Sequence, residues 1–190
     1  MKASELINIG SNKLKTNSIK SFILDSEILL SKVLNKKREE VLVDLNQKIE
    51  NNKILEFLKY IDRRALKEPI AYIIQQKEFW SKNFEVSNKT LIPRPETELM
   101  LEKLINIYKQ KSINILDIGT GSGCIILSLL SELKSSKGIG IDISLGALQI
   151  AKKNAKKLNI PGNVKFQKKS IESFFSQKFD LVVSNPPYIR

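Results

Sequence analysis

Apolar residues recur at three- and four-residue intervals through the first third of the chain. Phe22, Ile23, Ser26, Leu29, Leu30, Val33 and Leu34 share one side of the stretch that starts at Ser18, while Asp25 and Glu27 take the other. That spacing suits a turn of 3.6 residues and predicts a helix. A weaker stripe through Leu6, Ile9 and Leu14 precedes it and is expected to break at Gly10. The charged run Lys36-Lys37-Arg38-Glu39-Glu40 leads into a short helix bearing Val41, Leu42 and Leu45. A longer helix from about Ile49 turns Ile54, Leu55, Leu58, Ile61, Ala65 and Leu66 inward until Pro69 stops it. Four short helices with brief connections predict a compact bundle over residues 1–68.

Beyond Pro69 the pattern shortens to that of strands. Ile70-Ala71-Tyr72-Ile73-Ile74 and Lys82-Asn83-Phe84-Glu85-Val86 flank Glu78-Phe79-Trp80, which predicts a β-hairpin linker within residues 69–95. Leu91-Ile92-Pro93-Arg94-Pro95-Glu96-Thr97-Glu98 then opens a helix, with prolines at its start and carboxylates at its positive end. Leu99, Leu101, Leu104, Ile105 and Tyr108 carry it to about Lys109.

From there strands and helices alternate. Ile113 to Asp117 is a strand, Gly119 to Gly123 a glycine loop, and Cys124 to Leu133 a helix apolar almost throughout, hence buried. Ile139 to Ile143 is a second strand, and Ser144 caps a helix that Pro161-Gly162 closes. Val164 to Gln167 and Phe179 to Ser184 are further strands. The alternation predicts an α/β fold with a parallel, doubly wound sheet over residues 96–190. No repeat or low-complexity segment interrupts it.

Composition narrows the chemistry. The 190 residues contain no histidine and one cysteine, Cys124, which excludes a Ser-His-Asp triad, a histidine metal site and a disulfide framework. No apolar run approaches the ~20 residues that span a bilayer, and the start at Met1 lacks a signal peptide's apolar core. A cytoplasmic chain is expected. The net charge of +12 suits acidic partners such as nucleic acid. The excess is mostly lysine spread along helices, however, in a chain also rich in Asn and Ile, and that reads as compositional bias.

Three features carry chemistry. The Gly119-x-Gly121-x-Gly123 loop, with Thr120 and Ser122 between its glycines, lets a ligand approach backbone amides. It is not the dinucleotide fingerprint, whose third glycine would fall on Cys124. Asp142 ends the second strand, where a carboxylate can accept both hydroxyls of a ribose. Asp117, just before the loop, could hold it or reach a cofactor's amino group. Asn185-Pro186-Pro187-Tyr188 ends the last strand. Its prolines make a rigid corner that offers the Asn185 side-chain oxygen and the Pro186 carbonyl to an NH2 group, with Tyr188 as an aromatic face. In an open α/β sheet all three features lie along the carboxyl edge, where ligands bind.

Taken with Glu68-Pro69-Ile70-Ala71-Tyr72, Glu78-Phe79-Trp80, Leu91 to Glu98, Leu116 to Gly123 and Ser184 to Ile189, these features carry a resemblance to a known family. Over its whole length the chain resembles the release factor glutamine methyltransferase family. Asn-Pro-Pro-Tyr alone is shared with methylases of nucleic-acid amino groups; the Ile-Pro-Arg-Pro-Glu-Thr-Glu block behind a helical module is far more specific. The resemblance implies a Rossmann-like class I methyltransferase domain, S-adenosylmethionine as cofactor, and methyl transfer to a glutamine side-chain nitrogen in a Gly-Gly-Gln loop. It assigns Gly119, Thr120, Gly121, Ser122 and Gly123 to the methionine end of the cofactor and Asp142 to its ribose, with Ile171 and Asn185 also bordering it. Asn185, Pro186, Pro187 and Tyr188 would hold the substrate amide, with Asn185, Pro186 and Tyr188 catalytic. The expected partner is a peptide chain release factor docked on the helical module. Nucleic acid is then met only indirectly, and the chain is expected to be a monomer. The alternatives are a nucleic-acid amino-group methyltransferase and a release-factor-binding fragment without turnover.

Three departures from the family pattern stand out. Gln75 replaces the usual glycine after the Tyr-Ile-Leu position, and Ser170 and Ile171 stand where an acidic residue and an aromatic are common near the adenine. The family's sheet has seven strands, whereas this chain ends just past its fourth. It is therefore expected to be a fragment or truncated product with weak or no activity, whose last strand exposes Val182 and Val183.

Overall fold

Gly10 lies in the middle of an unbroken helix. In the computed structural model, which describes residues 1–160, 162–173 and 178–186, α1 runs from Ala3 to Thr16. A Cβ at Gly10 would fall 2.5 Å from Ser26 Oγ, 2.7 Å from Phe57 and 2.8 Å from Ile61. The residue that costs a helix about 1 kcal/mol of propensity is thus the one that lets two others pack close. Those are α2, Phe22–Leu34, and α4, Asn51–Ala65. Between them lies the short α3, Arg38–Val43.

The chain divides into two units, Met1–Ile74 and Gln75–Arg190. The first is built on Leu6, Leu14, Leu29, Leu30, Phe57 and Ile61, all fully buried. Phe57, absent from the expected stripe, fills its centre. Leu55 and Leu66, expected to face inward, are 62% and 84% exposed, and Leu45 is also exposed. Asp25, buried in α2, is matched by Arg64 of α4 at 2.6 Å, which offsets the cost of burying its charge.

Ile70–Ile74, expected to be a hairpin strand, is a short helix, α5. Pro69 presets the first turn, and Ala71 and Ile73 are buried beside α2 and α4. Tertiary packing therefore overrides the β-branched run. Gln75 ends α5 at φ 56°, in the left-handed region that favours glycine. The position where the resemblance expects glycine is therefore a helix end and lies before the hairpin turn.

The hairpin begins one residue later. β1 (Gln76–Phe79) pairs antiparallel with β2 (Lys82–Glu85). Trp80 and Ser81 both hold positive φ, 51° and 52°, as a two-residue primed turn demands. α6 (Glu96–Tyr108) follows. Next come β3 (Asn114–Ile118), α7 (Cys124–Glu132), β4 (Lys137–Asp142), α8 (Leu145–Lys157), β5 (Val164–Lys168) and β6 (Leu181–Ser184). Ser144 caps α8 by accepting from the Ala147 N–H at 3.2 Å.

The main sheet is parallel in the order β5-β4-β3-β6. The chain moves outward from β3 through β4 to β5, then returns to the far side of β3. The order reverses between β3 and β6, and a crevice opens at the carboxyl ends of such a pair. α7 is buried almost all round, through Ile125, Ile126, Leu127, Leu129 and Leu130. In β6 the side chains alternate: Val183 is buried, against expectation, and Val182 is 53% exposed. Asp180 fixes the start of β6. Its N–H donates to Asn114 O at 3.0 Å, its carboxylate accepts from Asn114 N–H at 2.8 Å, and its carbonyl accepts from Tyr108 Oη–H at 3.2 Å.

Candidate functional site

Strand register sets the site. Ile118 is paired with Ile141 on one side and with Ser184 on the other. The next residues along the three strands are Gly119, Asp142 and Asn185, which leave the sheet at one level on the same rim. Pro186 follows, exposed. Pro187 and Tyr188 lie outside the described residues.

The loop is held from below. Gly119 and Thr120 donate their N–H groups to Ile141 O at 2.9 and 3.0 Å, and Gly123 donates to Thr120 O at 2.8 Å. Gly119, Gly121 and Gly123 take φ of 69°, 57° and 78°, a path that side-chain-bearing residues rarely follow. A Cβ on Gly119 would meet nothing within 4 Å, so the loop faces open space. A Cβ on Gly123 would lie 3.1 Å from Leu127 and 3.2 Å from Ala151, where α7 and α8 close up. Thr120 and Ser122 are buried.

Asp117 supports the loop and does not reach past it. It is 1% exposed, and its carboxylate accepts from Thr120 Oγ1–H at 2.7 Å. Burial pushes its pKa up to about 6; the Thr120 hydroxyl and the Ile126 N–H pull the other way, and Asp142 adds to the rise. Cys124 starts α7, and burial drives its thiol up to about 12, so it is no nucleophile near neutrality.

Asp142 is half-buried and pinned by backbone. One carboxylate oxygen accepts from Gly121 N–H at 3.0 Å, the other from Ser144 N–H at 2.8 Å. Each oxygen keeps a lone pair for a further donor. Such a carboxylate beside an open glycine turn fits a ligand carrying a diol. The Asp142 carbonyl accepts from Lys169 N–H at 3.2 Å, tying in the end of β5. Ile171 sits in the short turn Ile171–Ser173 beyond β5 and is 48% exposed.

Asn185 is half-buried, and its Nδ2 donates to Thr97 Oγ1 of α6 at 3.5 Å. The first turn of α6 also meets the hairpin: Glu98 accepts from Trp80 N–H at 3.0 Å. The Ile92 to Glu98 segment therefore touches both the hairpin turn and the asparagine.

One residue of this region was missed. Asn154 of α8 is fully buried and all its side-chain groups are used. Its Oδ1 accepts from Glu85 N–H at 2.7 Å, and its Nδ2 donates to Glu85 O at 3.0 Å and to Ser122 O at 2.9 Å. It welds the glycine loop to β2. The signal was available: Ala147, Ala151, Asn154 and Leu158 follow helical spacing, so one amide stands in an apolar stripe.

Among the described residues there is no group of His, Cys, Asp and Glu suited to a metal ion, and no helix long and apolar enough to cross a membrane.

Residues 5–74 match the PrmC N-terminal domain, and residues 109–188 match the methyltransferase domain. The release factor glutamine methyltransferase of Buchnera aphidicola subsp. Baizongia pistaciae is 44% identical over 190 residues, covering 100% of this chain and 68% of that protein. Its counterpart from Buchnera aphidicola subsp. Schizaphis graminum is 45% identical over 165 residues, 87% of this chain and 60% of the relative. A bifunctional methyltransferase of Rickettsia typhi is 39% identical over 205 residues, 97% of this chain but only 40% of the relative. The chain thus spans well under the full length of several relatives it matches. The SAM-dependent methyltransferase of Agrobacterium tumefaciens, at 15% identity, superposes with a TM-score of 0.51 over 59% of this chain and 39% of its own, a likeness of fold. With every residue of this chain aligned at 44% identity to a relative of which it covers 68%, the chain belongs to the release factor glutamine methyltransferase family.

Proposed function

We propose that this chain takes part in methyl transfer from S-adenosylmethionine to the side-chain amide nitrogen of the glutamine in the Gly-Gly-Gln loop of peptide chain release factors. One observation carries the reading. Pairing of Ile118 with both Ile141 and Ser184 puts an open glycine turn, a pinned carboxylate and a proline-backed asparagine at one level of the sheet.

When bound, S-adenosylmethionine supplies an electrophilic methyl group. Asp142 holds the ribose hydroxyls with the lone pairs its two backbone donors leave unused. Gly119 to Gly123 follow the methionine end closely because no side chain stands on the open side of the turn. Asn185 accepts from the substrate NH2 through Oδ1 and the Pro186 carbonyl takes the second hydrogen; Tyr188, outside the described residues, is the aromatic partner the resemblance implies for the amide. An amide nitrogen is a weak nucleophile because its lone pair is delocalised. Two fixed acceptors orient it and raise its electron density, which is positioning and electrostatic work. The nitrogen turns acidic once alkylated and releases its proton to solvent, so the absence of histidine costs nothing. The helical unit, residues 1–74, docks the release factor.

The test is to incubate the chain with isotopically labelled methyl donor and purified release factor, with DNA and with RNA. Label confined to the release-factor glutamine, and lost in Asn185→Ala, is the expected result. Label on nucleic-acid amino groups would move the chain to the other class of methylase, and labelling unaffected by Asn185→Ala would remove that side chain from the mechanism.

A further inference from the structure

A carboxamide side chain has one accepting end and one donating end of nearly equal size. If Asn185 is to accept a substrate hydrogen, its own NH2 must be engaged elsewhere. Otherwise half a turn about the last torsion would set donor against donor. The structure gives that NH2 a partner, since Asn185 Nδ2 faces Thr97 Oγ1 at 3.5 Å in a half-buried setting.

Thr97 is well placed to hold a direction. Its N–H donates to Arg94 O at 3.1 Å, and the N–H of Glu98 donates to Pro95 O at 2.9 Å. Pro93 and Pro95 fix the backbone leading into this turn. The Glu98 carboxylate, one residue on, is anchored to the Trp80 N–H at 3.0 Å. The hydroxyl thus stands on a helix start fastened at two points and belongs neither to the glycine loop nor to the Asn-Pro-Pro-Tyr corner.

We propose that Thr97 is a positioning residue whose hydroxyl oxygen sets the orientation of the Asn185 amide and turns Oδ1 toward the substrate nitrogen. The proposal rests on the glutamine-transfer reading above. At 3.5 Å the contact works as a bias on orientation: it favours one of two otherwise similar amide rotamers and does not clamp the side chain. The reversed amide would receive the Thr97 hydroxyl proton on Oδ1 and hide the acceptor.

The decisive pair is Thr97→Val, which keeps the shape and removes the hydroxyl, and Thr97→Ser, which restores it. The first readout needs no turnover. In a chain labelled with 15N-asparagine, the two side-chain amide protons of Asn185 are identified by their loss in Asn185→Ala. They are expected to stay resolved and slow to exchange in the parent and in Thr97→Ser, and to collapse toward free-amide behaviour in Thr97→Val. The second readout is transfer to a Gly-Gly-Gln peptide. In Thr97→Val kcat should fall about tenfold, the scale of one lost neutral hydrogen bond, with KM for the methyl donor unchanged, while Thr97→Ser retains the parental rate. Unchanged Asn185 signals in Thr97→Val, or an equal loss in both variants, would overturn the proposal. If the parent methylates no peptide, the glutamine reading fails by itself, and the amide spectra still decide the Thr97 contact.

Discussion

The two walls of the crevice are built differently. On the β3–β4 side, every turn is fastened from within: Ile141 O takes two loop N–H groups, Asp142 takes two more, Asp117 grips Thr120, and Asn154 binds Ser122 to the hairpin. On the β6 side, among the described residues, Asn185 has one long side-chain contact, to Thr97, and Ser184 Oγ–H donates to Ile118 O at 3.0 Å. A wall fastened in so many ways is ready-made for a ligand that changes little from one encounter to the next. In the proposed reading, the opposite wall keeps a side chain whose remaining capacity is left for the substrate amide. Preorganisation is concentrated on the wall proposed for the methyl donor.

Breaking the sparsely held wall should show first in chemistry. Asn185→Ala is expected to lower methyl transfer by about a hundredfold or more, the scale of a lost transition-state contact, with calorimetric affinity for the methyl donor falling far less. A parallel loss of affinity would mean the walls are not separable.

Breaking the fastened wall should show first in stability. Asp117 in the folded chain titrates at about 6, against 3.8 unperturbed. Between these values the folded chain holds more proton on Asp117 than the unfolded chain does, so stability falls as pH rises through that window and is level above it. Asp117→Asn is uncharged throughout. It should gain up to about 3 kcal/mol over the parent above pH 7 and nothing below pH 4, as followed by urea unfolding across pH. A variant that tracks the parent at every pH would show that the buried carboxylate is not the source of the slope.

Asn154→Ala strips partners from three backbone groups, one buried and two part-buried. A loss of about 2 kcal/mol is expected, together with weaker methyl-donor binding as the loop loosens. Stability lost with donor affinity intact would make Asn154 a structural weld only.

The smallest effect lies away from both walls. Gln75→Gly should stabilise the chain by about 0.5 to 1 kcal/mol by relieving positive φ at the end of α5, read as a rise in the urea midpoint.

How much of this was legible follows from which forces are local. The order strand, glycine loop, helix, strand, acid is written in alternating periods, and the rim follows from parallel pairing, so Gly119, Asp142 and Asn185 could be expected to meet. Gly10 and Ile70–Ile74 were misread because what decides them is remote. A glycine that ends one helix in isolation admits two others at close range in the folded unit, and a β-branched run can be wound into a turn when a bundle waits to bury it. Phe57 was overlooked for the same reason. Thr97 stood inside a recognised block, but nothing in the spacing of residues 92–98 says which of them faces a strand end some ninety positions later.

The lock formed by Asp180, Asn114 and Tyr108 at the foot of β6 governs the other end of the sheet. A strand can slide only in steps of two residues without turning its apolar side to water, and each such step would carry Asn185 about 7 Å along its axis. On the proposed reading, the spacing between methyl donor and acceptor would therefore be gauged at the amino-terminal edge, a full strand away from the carboxyl rim.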